Sequence, residues 1–297
     1  PLFREVSAME RDMFDTLDSR RPRVAVASVR GRATLPETAA HELETVADVS
    51  YLATEQALTR TEAAAAFAEA EVVAFTPKVA PPVDEALLED LSKLRGIAIY
   101  ATGYDFLDLD LLDKYGVALS HLPEYSTTSV AEHALGMLLS LSRRIHLGND
   151  RCRELVPMET SLRGFELAGR TLGIVGFGRI GSTLGQLGQA LGMQVIAADP
   201  RRDRVEAAGV QHLPFNDVLQ QADVVAVLCS AEHVCEPILG TAEIARMRPG
   251  AVLVNTSRPH LVDEEAVATA IRAGRLRGYA VDDAVFDFVR RATPDLA

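Results

Sequence analysis

The stretch RTLGIVGFGRIGSTLG, residues 170–185, restricts this chain more than any other. An apolar run ends at Val175, three glycines follow as G-x-G-x-x-G at Gly176, Gly178 and Gly181, and a helix-like pattern begins. A glycine pattern alone is a weak signal. Here it lies between a strand and a helix and is followed by a second strand, QVIAAD, that ends in Asp199, which makes it specific. The first glycine permits a tight turn, the second lets a pyrophosphate approach the backbone, and the third lets the helix pack on the strand. The phosphates then meet the helix N-terminus, where unpaired N–H groups and the dipole favour negative charge. Asp199 stands near the place, about 20 residues past the glycines, where an acid binds ribose hydroxyls.

A carboxylate there repels a 2′-phosphate, so the expected cofactor is NAD rather than NADP. Arg201 and Arg202, in the RRDR that follows, oppose that preference because either can pair with a phosphate. The expected coenzyme-binding residues are Gly176, Gly178, Arg179, Ile180, Gly181 and Asp199, with Cys229, Ser230 and Thr256 at later strand ends.

Around this motif, short β-branched runs alternate with helical patterns. RVAVAS (23–28), EVVAF (71–75), GIAIYA (96–101) and VALSH (117–121) precede it, and DVVAVLC (223–229), AVLVNTS (251–257) and RGYAVD (277–282) follow. Strands of this kind separated by helices such as VDEALLEDLSKL and DEEAVATAIRAG imply βαβ units and parallel sheets buried on both faces. Residues 126–155 break the rhythm and predict one long helix bridging two α/β domains, with the crossing near Pro123. The expected fold class is α/β, with two Rossmann-like domains and the NAD-binding domain placed after the outer one. The expected boundaries are 1–122 for an outer substrate domain, 123–290 for the dinucleotide domain, and 291–297 for a return to the outer domain.

The 297 residues are 48% hydrophobic, ample for two cores. The net charge of −12 and the lack of a basic, aromatic-interleaved stretch argue against nucleic acid. No apolar run reaches membrane-spanning length, and the charged PLFREVSAMERD at the start is not a signal peptide. Three cysteines, Cys152, Cys229 and Cys235, fit a reducing, cytoplasmic setting, and no histidines cluster with them to hold a metal.

The run VLVNTSRPHLVDEEAVATAIRAGRLRGYAVDD resembles the D-isomer-specific 2-hydroxyacid dehydrogenases, whose pattern there reads N-T-(A/S)-R-G-x-(L/I)-V-D-E-x-A-L, then G-x-x-L-D-V. The resemblance runs from about Arg23 to Asp287 and includes ATGYDFLDLDLL and YSTTSVAEHALGMLLSLSRR. TPKVAPPVDEALL is similar to the glycerate and phosphite dehydrogenase branches. The resemblance implies two domains around a cleft, NAD, a small anionic substrate and a homodimer.

Reduction of a 2-keto acid needs a cation to hold the carboxylate and polarise the carbonyl, a hydride donor, and an acid for the developing alkoxide. Arg258, at a strand end where α/β ligands bind, suits the first task and matches the family's catalytic arginine. Lys78 adds a second cation by resemblance, and Thr102, Gly103 and Tyr104 offer loop N–H groups to the substrate. Asp282 matches an aspartate near the nicotinamide amide, and Asp287 stands where the family has a glutamate paired with its catalytic histidine.

That histidine is not at its expected place: the comparable segment is TPDLA, with Asp295 at the position. Two explanations stand, a protein without its donor or a histidine in C-terminal residues beyond this sequence; the intact NTSR and nucleotide motifs favour the second. His133 is expected to pack structurally, and His260 to be a loop residue turned away from the site. Pro259 departs from the family's glycine beside Arg258. A phosphite or phosphonate dehydrogenase, motivated by Lys78, and a catalytically lapsed NAD-binding regulator are the alternative readings.

Overall fold

The computed structural model describes residues 21–231, 234 and 236–282. They form two compact units divided between Pro123 and Glu124.

In the first unit, β1 (Arg23–Ser28), β2 (Asp48–Ala53), β3 (Val72–Phe75), β4 (Gly96–Ile99) and β5 (Ala118–His121) make one sheet in the order β2-β1-β3-β4-β5. Every pairing is parallel. This is the order of the flavodoxin-like doubly wound sheet, which reverses direction between β1 and β3. Helices α1 (Glu37–Val46), α2 (Arg60–Phe67), α3 (Glu85–Asp90) and α4 (Leu109–Lys114) connect the strands. Thr59, Asp84 and Asp108 cap the last three of these by accepting backbone N–H bonds. Phe67, Val73, Phe75, Leu87, Ile97 and Ile99 form the main core.

The second unit opens with α5 (Thr127–Arg143) and α6 (Ile145–Cys152). Its sheet contains β6 (Thr171–Val175), β7 (Gln194–Ala198), β8 (Gln211–His212), β9 (Val224–Val227), β10 (Ala251–Asn255) and β11 (Leu276–Val281), in the order β11-β10-β9-β6-β7-β8. Counted within the unit this is 3-2-1-4-5-6, the dinucleotide-binding Rossmann order, all parallel. Helix α7 (Arg179–Ala190) follows β6; α8 (Arg202–Ala207), α9 (Phe215–Gln221), α10 (Thr241–Arg246) and α11 (Glu264–Arg272) come later. β9 and β10 are buried along their whole length, and separate apolar clusters cover the two sheet faces.

The single long helix expected over 126–155 is two. Arg144 adopts left-handed φ 57°, ψ 35° between α5 and α6. The returning chain explains the break: the Phe165 N–H takes the Ser142 carbonyl at 2.8 Å, and a Cβ on Gly164 would lie 2.2 Å from that oxygen. A continuous helix would have used that carbonyl itself. His133 is exposed on α5, not packed, because the buried stripe runs through Ala131, Ala134, Leu138 and Leu141. Two strands went unread, β2 and the two-residue β8, both at sheet edges.

Candidate coenzyme and substrate sites

The second unit's sheet reverses direction between β6 and β9, and their carboxyl ends meet there. Gly176 has φ 92°, and a Cβ on it would lie 2.3 Å from Cys229 N. A Cβ on Gly181 would lie 2.3 Å from the Gly176 carbonyl oxygen. Both glycines are demanded by protein contacts. Gly178 differs: its φ of −79° suits any residue, and its nearest prospective neighbour is Arg204 Nη1 at 3.9 Å. Glycine there leaves open space. Helix α7 begins beside that space without a side-chain cap, so its first N–H groups face outward unclaimed by a capping side chain.

Asp199 closes one side of this cradle. Its side chain is only 7% exposed. Oδ2 accepts the Phe177 N–H at 2.7 Å and Oδ1 the Arg201 N–H at 2.8 Å, tying the glycine turn to the end of β7. Arg179 pairs with Glu124 at 3.2 Å. Ile180 is half-buried against the core beneath the loop. Cys229 is half-buried beneath Gly176; burial, then the Asp199 charge, pushes its thiol above the ordinary range. Ser230 is exposed just beyond it.

β10 lies beside β9, so Thr256 and Arg258 reach the same sheet edge as the glycine loop. Thr256 Oγ1 is buried with no hydrogen-bond partner among the described residues. An orphaned hydroxyl, an open glycine cradle and an uncapped helix end together fit a dinucleotide coenzyme.

Asn255, which the sequence did not single out, builds the Arg258 turn. It is fully buried, donates from Nδ2 to the Arg258 carbonyl at 2.9 Å, and accepts the Ser257 N–H at 3.0 Å. A buried amide at the end of a strand, three residues before a cation, was the available signal. Ser257 Oγ ties the same turn to the Cys229 carbonyl. Asp282 follows β11, next to β10, and is exposed. His260 is exposed in the short turn Pro259–Leu261. Asp287 and Asp295 lie outside the described residues.

In the first unit, Lys78 is exposed in the turn Pro77–Val79 that follows β3, one of the two strands flanking the reversal of sheet order. Thr76 Oγ1 beside it is buried without a partner among the described residues. Thr102, Gly103 and Tyr104 are half-buried in the loop after the neighbouring β4. His121 holds that loop: its Nδ1 lies 3.0 Å from the Thr102 carbonyl oxygen, and its ring meets Tyr104 edge-on at 4.8 Å. Thus Lys78 and the 101–105 loop share one sheet edge, and the glycine loop, Asp199, Thr256, Arg258 and Asp282 share another.

Residues 135–289 match the family model for the D-isomer specific 2-hydroxyacid dehydrogenase NAD binding domain. The chain is 33% identical over 221 residues to a glyoxylate reductase of Thermococcus litoralis, covering 71% of this chain and 67% of that protein. It is 35% identical over 225 residues to a D-3-phosphoglycerate dehydrogenase of Mycobacterium leprae, covering 75% of this chain and 42% of that longer protein. Among solved structures, the D-lactate dehydrogenase of Aquifex aeolicus complexed with NAD and lactic acid is similar at 25% identity and a TM-score of 0.74, covering 91% of this chain and 82% of that one. The D-lactate dehydrogenase of Escherichia coli is similar at 26% identity and a TM-score of 0.73, covering 92% and 87%.

Proposed function

Because the chain belongs to the D-isomer specific 2-hydroxyacid dehydrogenase family, we propose that the protein transfers a hydride between NAD and a small 2-keto or 2-hydroxy acid. One observation carries this reading most directly: the open cradle at Gly178 and the turn bearing Arg258 lie on the same sheet edge, linked through β6, β9 and β10. NAD, when bound, supplies the hydride acceptor or donor.

The chain's own residues do the rest. The first N–H groups of α7 receive the phosphates, and Asp199 receives the ribose hydroxyls and disfavours a 2′-phosphate. The Arg258 guanidinium grips the substrate carboxylate and polarises the adjacent carbonyl, while Asn255 fixes the turn beneath it. Lys78 and the backbone of Thr102, Gly103 and Tyr104 hold the substrate's anionic end. Asp282 is read as a nicotinamide contact. Asp287 is read as the partner of a proton-donating imidazole. We further read the protein as a cytoplasmic homodimer, with a small anionic substrate and neither nucleic acid nor membrane as partner; the sparse cysteines support the compartment and the acidic charge argues against nucleic acid.

Lys78 favours a second reading of the substrate. A cation beside the reversal of the first sheet suits an oxyanion of higher charge, such as phosphite or a phosphonate. NADH absorbance followed with glyoxylate, hydroxypyruvate and pyruvate in one direction, and with phosphite and simple phosphonates against NAD in the other, separates the two. Turnover of a keto acid is expected. Turnover of phosphorus oxyanions alone transfers the assignment to the second reading, and no turnover of either class overturns both.

A further inference from the structure

Arg179 opens α7, and Arg201, Arg202 and Arg204 follow β7; the structure distinguishes the four. Arg179 pairs with Glu124 at 3.2 Å. Arg202 pairs with Glu206 at 2.7 Å, one helical turn along α8. Arg201 lies 3.8 Å from Asp199 and donates its backbone N–H to the same carboxylate. Arg204 pairs with no carboxylate among the described residues. It is exposed, and its Nη1 is the group nearest the open space at Gly178. The sequence pointed to Arg201 or Arg202 as the phosphate-pairing residue; in the structure both already face a carboxylate.

We propose that Arg204 is a coenzyme-specificity residue, which binds the 2′-phosphate of NADP(H) and makes that coenzyme a second, weaker ligand beside NAD(H). The position favours this phosphate. Arg204 lies in α8, which follows the strand that ends at Asp199, and its Nη1 comes within 3.9 Å of where a Cβ on Gly178 would sit; in this fold the acid at the end of that strand is the one that meets the adenosine ribose. Asp199 alone would exclude a 2′-phosphate by like charge. Its carboxylate is already bound by two backbone N–H groups and is almost wholly buried, so part of its field is neutralised in place. A guanidinium that faces no carboxylate among the described residues and reaches the open space at Gly178 offers a planar, two-pronged donor to a doubly charged group. Asp199 sets the preference for NAD(H), and Arg204 limits it. The inference rests on the coenzyme site of the proposed function and not on its substrate.

The test is direct titration of the full chain with NADH and with NADPH, read by quenching of coenzyme fluorescence, so that it does not depend on turnover. Wild type is expected to bind both, NADH the tighter. R204A should weaken NADPH on the order of tenfold or more and leave NADH within about twofold. R202A, whose guanidinium is taken by Glu206, should change neither. R204Q repeats the measurement with a longer side chain should R204A not fold, and it should behave as R204A does. Equal weakening of both coenzymes by either Arg204 variant would assign the guanidinium to the shared diphosphate and overturn the proposal. So would a wild type that binds no NADPH, or Arg204 variants that bind it as well as wild type.

Discussion

The backbone N–H of Phe177 donates to Oδ2 of Asp199 at 2.7 Å, so the carboxylate assigned to the ribose also anchors the glycine turn. On the proposed assignment, coenzyme recognition and local stability share one side chain. Asp199→Asn retains the shape but replaces an accepting oxygen with an amide that meets an N–H head-on. Unfolding in urea is expected to show a loss of about 1–3 kcal/mol, the usual size for a broken charge-assisted bond in a buried setting. The same variant should bind NADH more weakly and discriminate less against NADPH. Unchanged stability would mean that the turn is held by the backbone alone.

The first two glycines of the motif should fail differently. Gly176→Ala forces a Cβ to within 2.3 Å of Cys229 N at φ 92°, so the turn must shift or the domain must loosen; a loss of roughly 3 kcal/mol or more is expected. Gly178→Ala meets only the end of a flexible arginine at 3.9 Å and should leave the thermal midpoint nearly unchanged while weakening NADH binding. Equal destabilisation by both would contradict the reading of Gly178 as space kept for a ligand.

Arg258→Lys keeps the charge and loses the planar grip, and it is expected to lower turnover far more than coenzyme affinity. Steady-state rates for the best keto acid, beside an NADH titration, give both quantities. A variant that retains activity within about threefold would place less than roughly 0.7 kcal/mol of transition-state stabilisation on this residue, too little for the catalytic cation.

Cys229 should respond to pH in a defined sense. Burial raises its thiol first, and the Asp199 charge adds to that. A raised folded-state value means that the neutral thiol is favoured by folding. That stability is fully present below the unfolded thiol's range, about pH 8.5, and is lost as pH rises through the higher folded value. The unfolding midpoint of wild type should then fall more steeply above that range than that of Cys229→Ala. Iodoacetamide at pH 8, followed by peptide mass spectrometry, should label the exposed Cys152 well before Cys229. Faster labelling of Cys229 would contradict the raised thiol.

The amino-acid sequence by itself determined the parallel α/β architecture and the nucleotide loop. Strands such as β9 and β10 are buried on both faces, so their apolar runs are continuous and visible without any partner. Gly176 and Gly181 were legible because the Cβ of any other residue would lie within 2.3 Å of a neighbouring backbone atom, and only one residue type meets that demand. β2 was not legible, since a half-exposed edge strand of mixed polarity carries no such run. Nor was the break at Arg144, which exists because residues 164 and 165, far along the chain, press against Ser142 and take its carbonyl. Asn255 and His121 likewise act through bonds to loops that only the folded backbone brings within reach. The RRDR segment shows the division most sharply. Its composition placed cations near the ribose, but which guanidinium faces the cradle was decided by the phase of α8. That phase sets Arg202 one turn from Glu206 and turns Arg204 toward Gly178, because ion pairing and reach depend on where side chains leave the helix and not on their order in the chain.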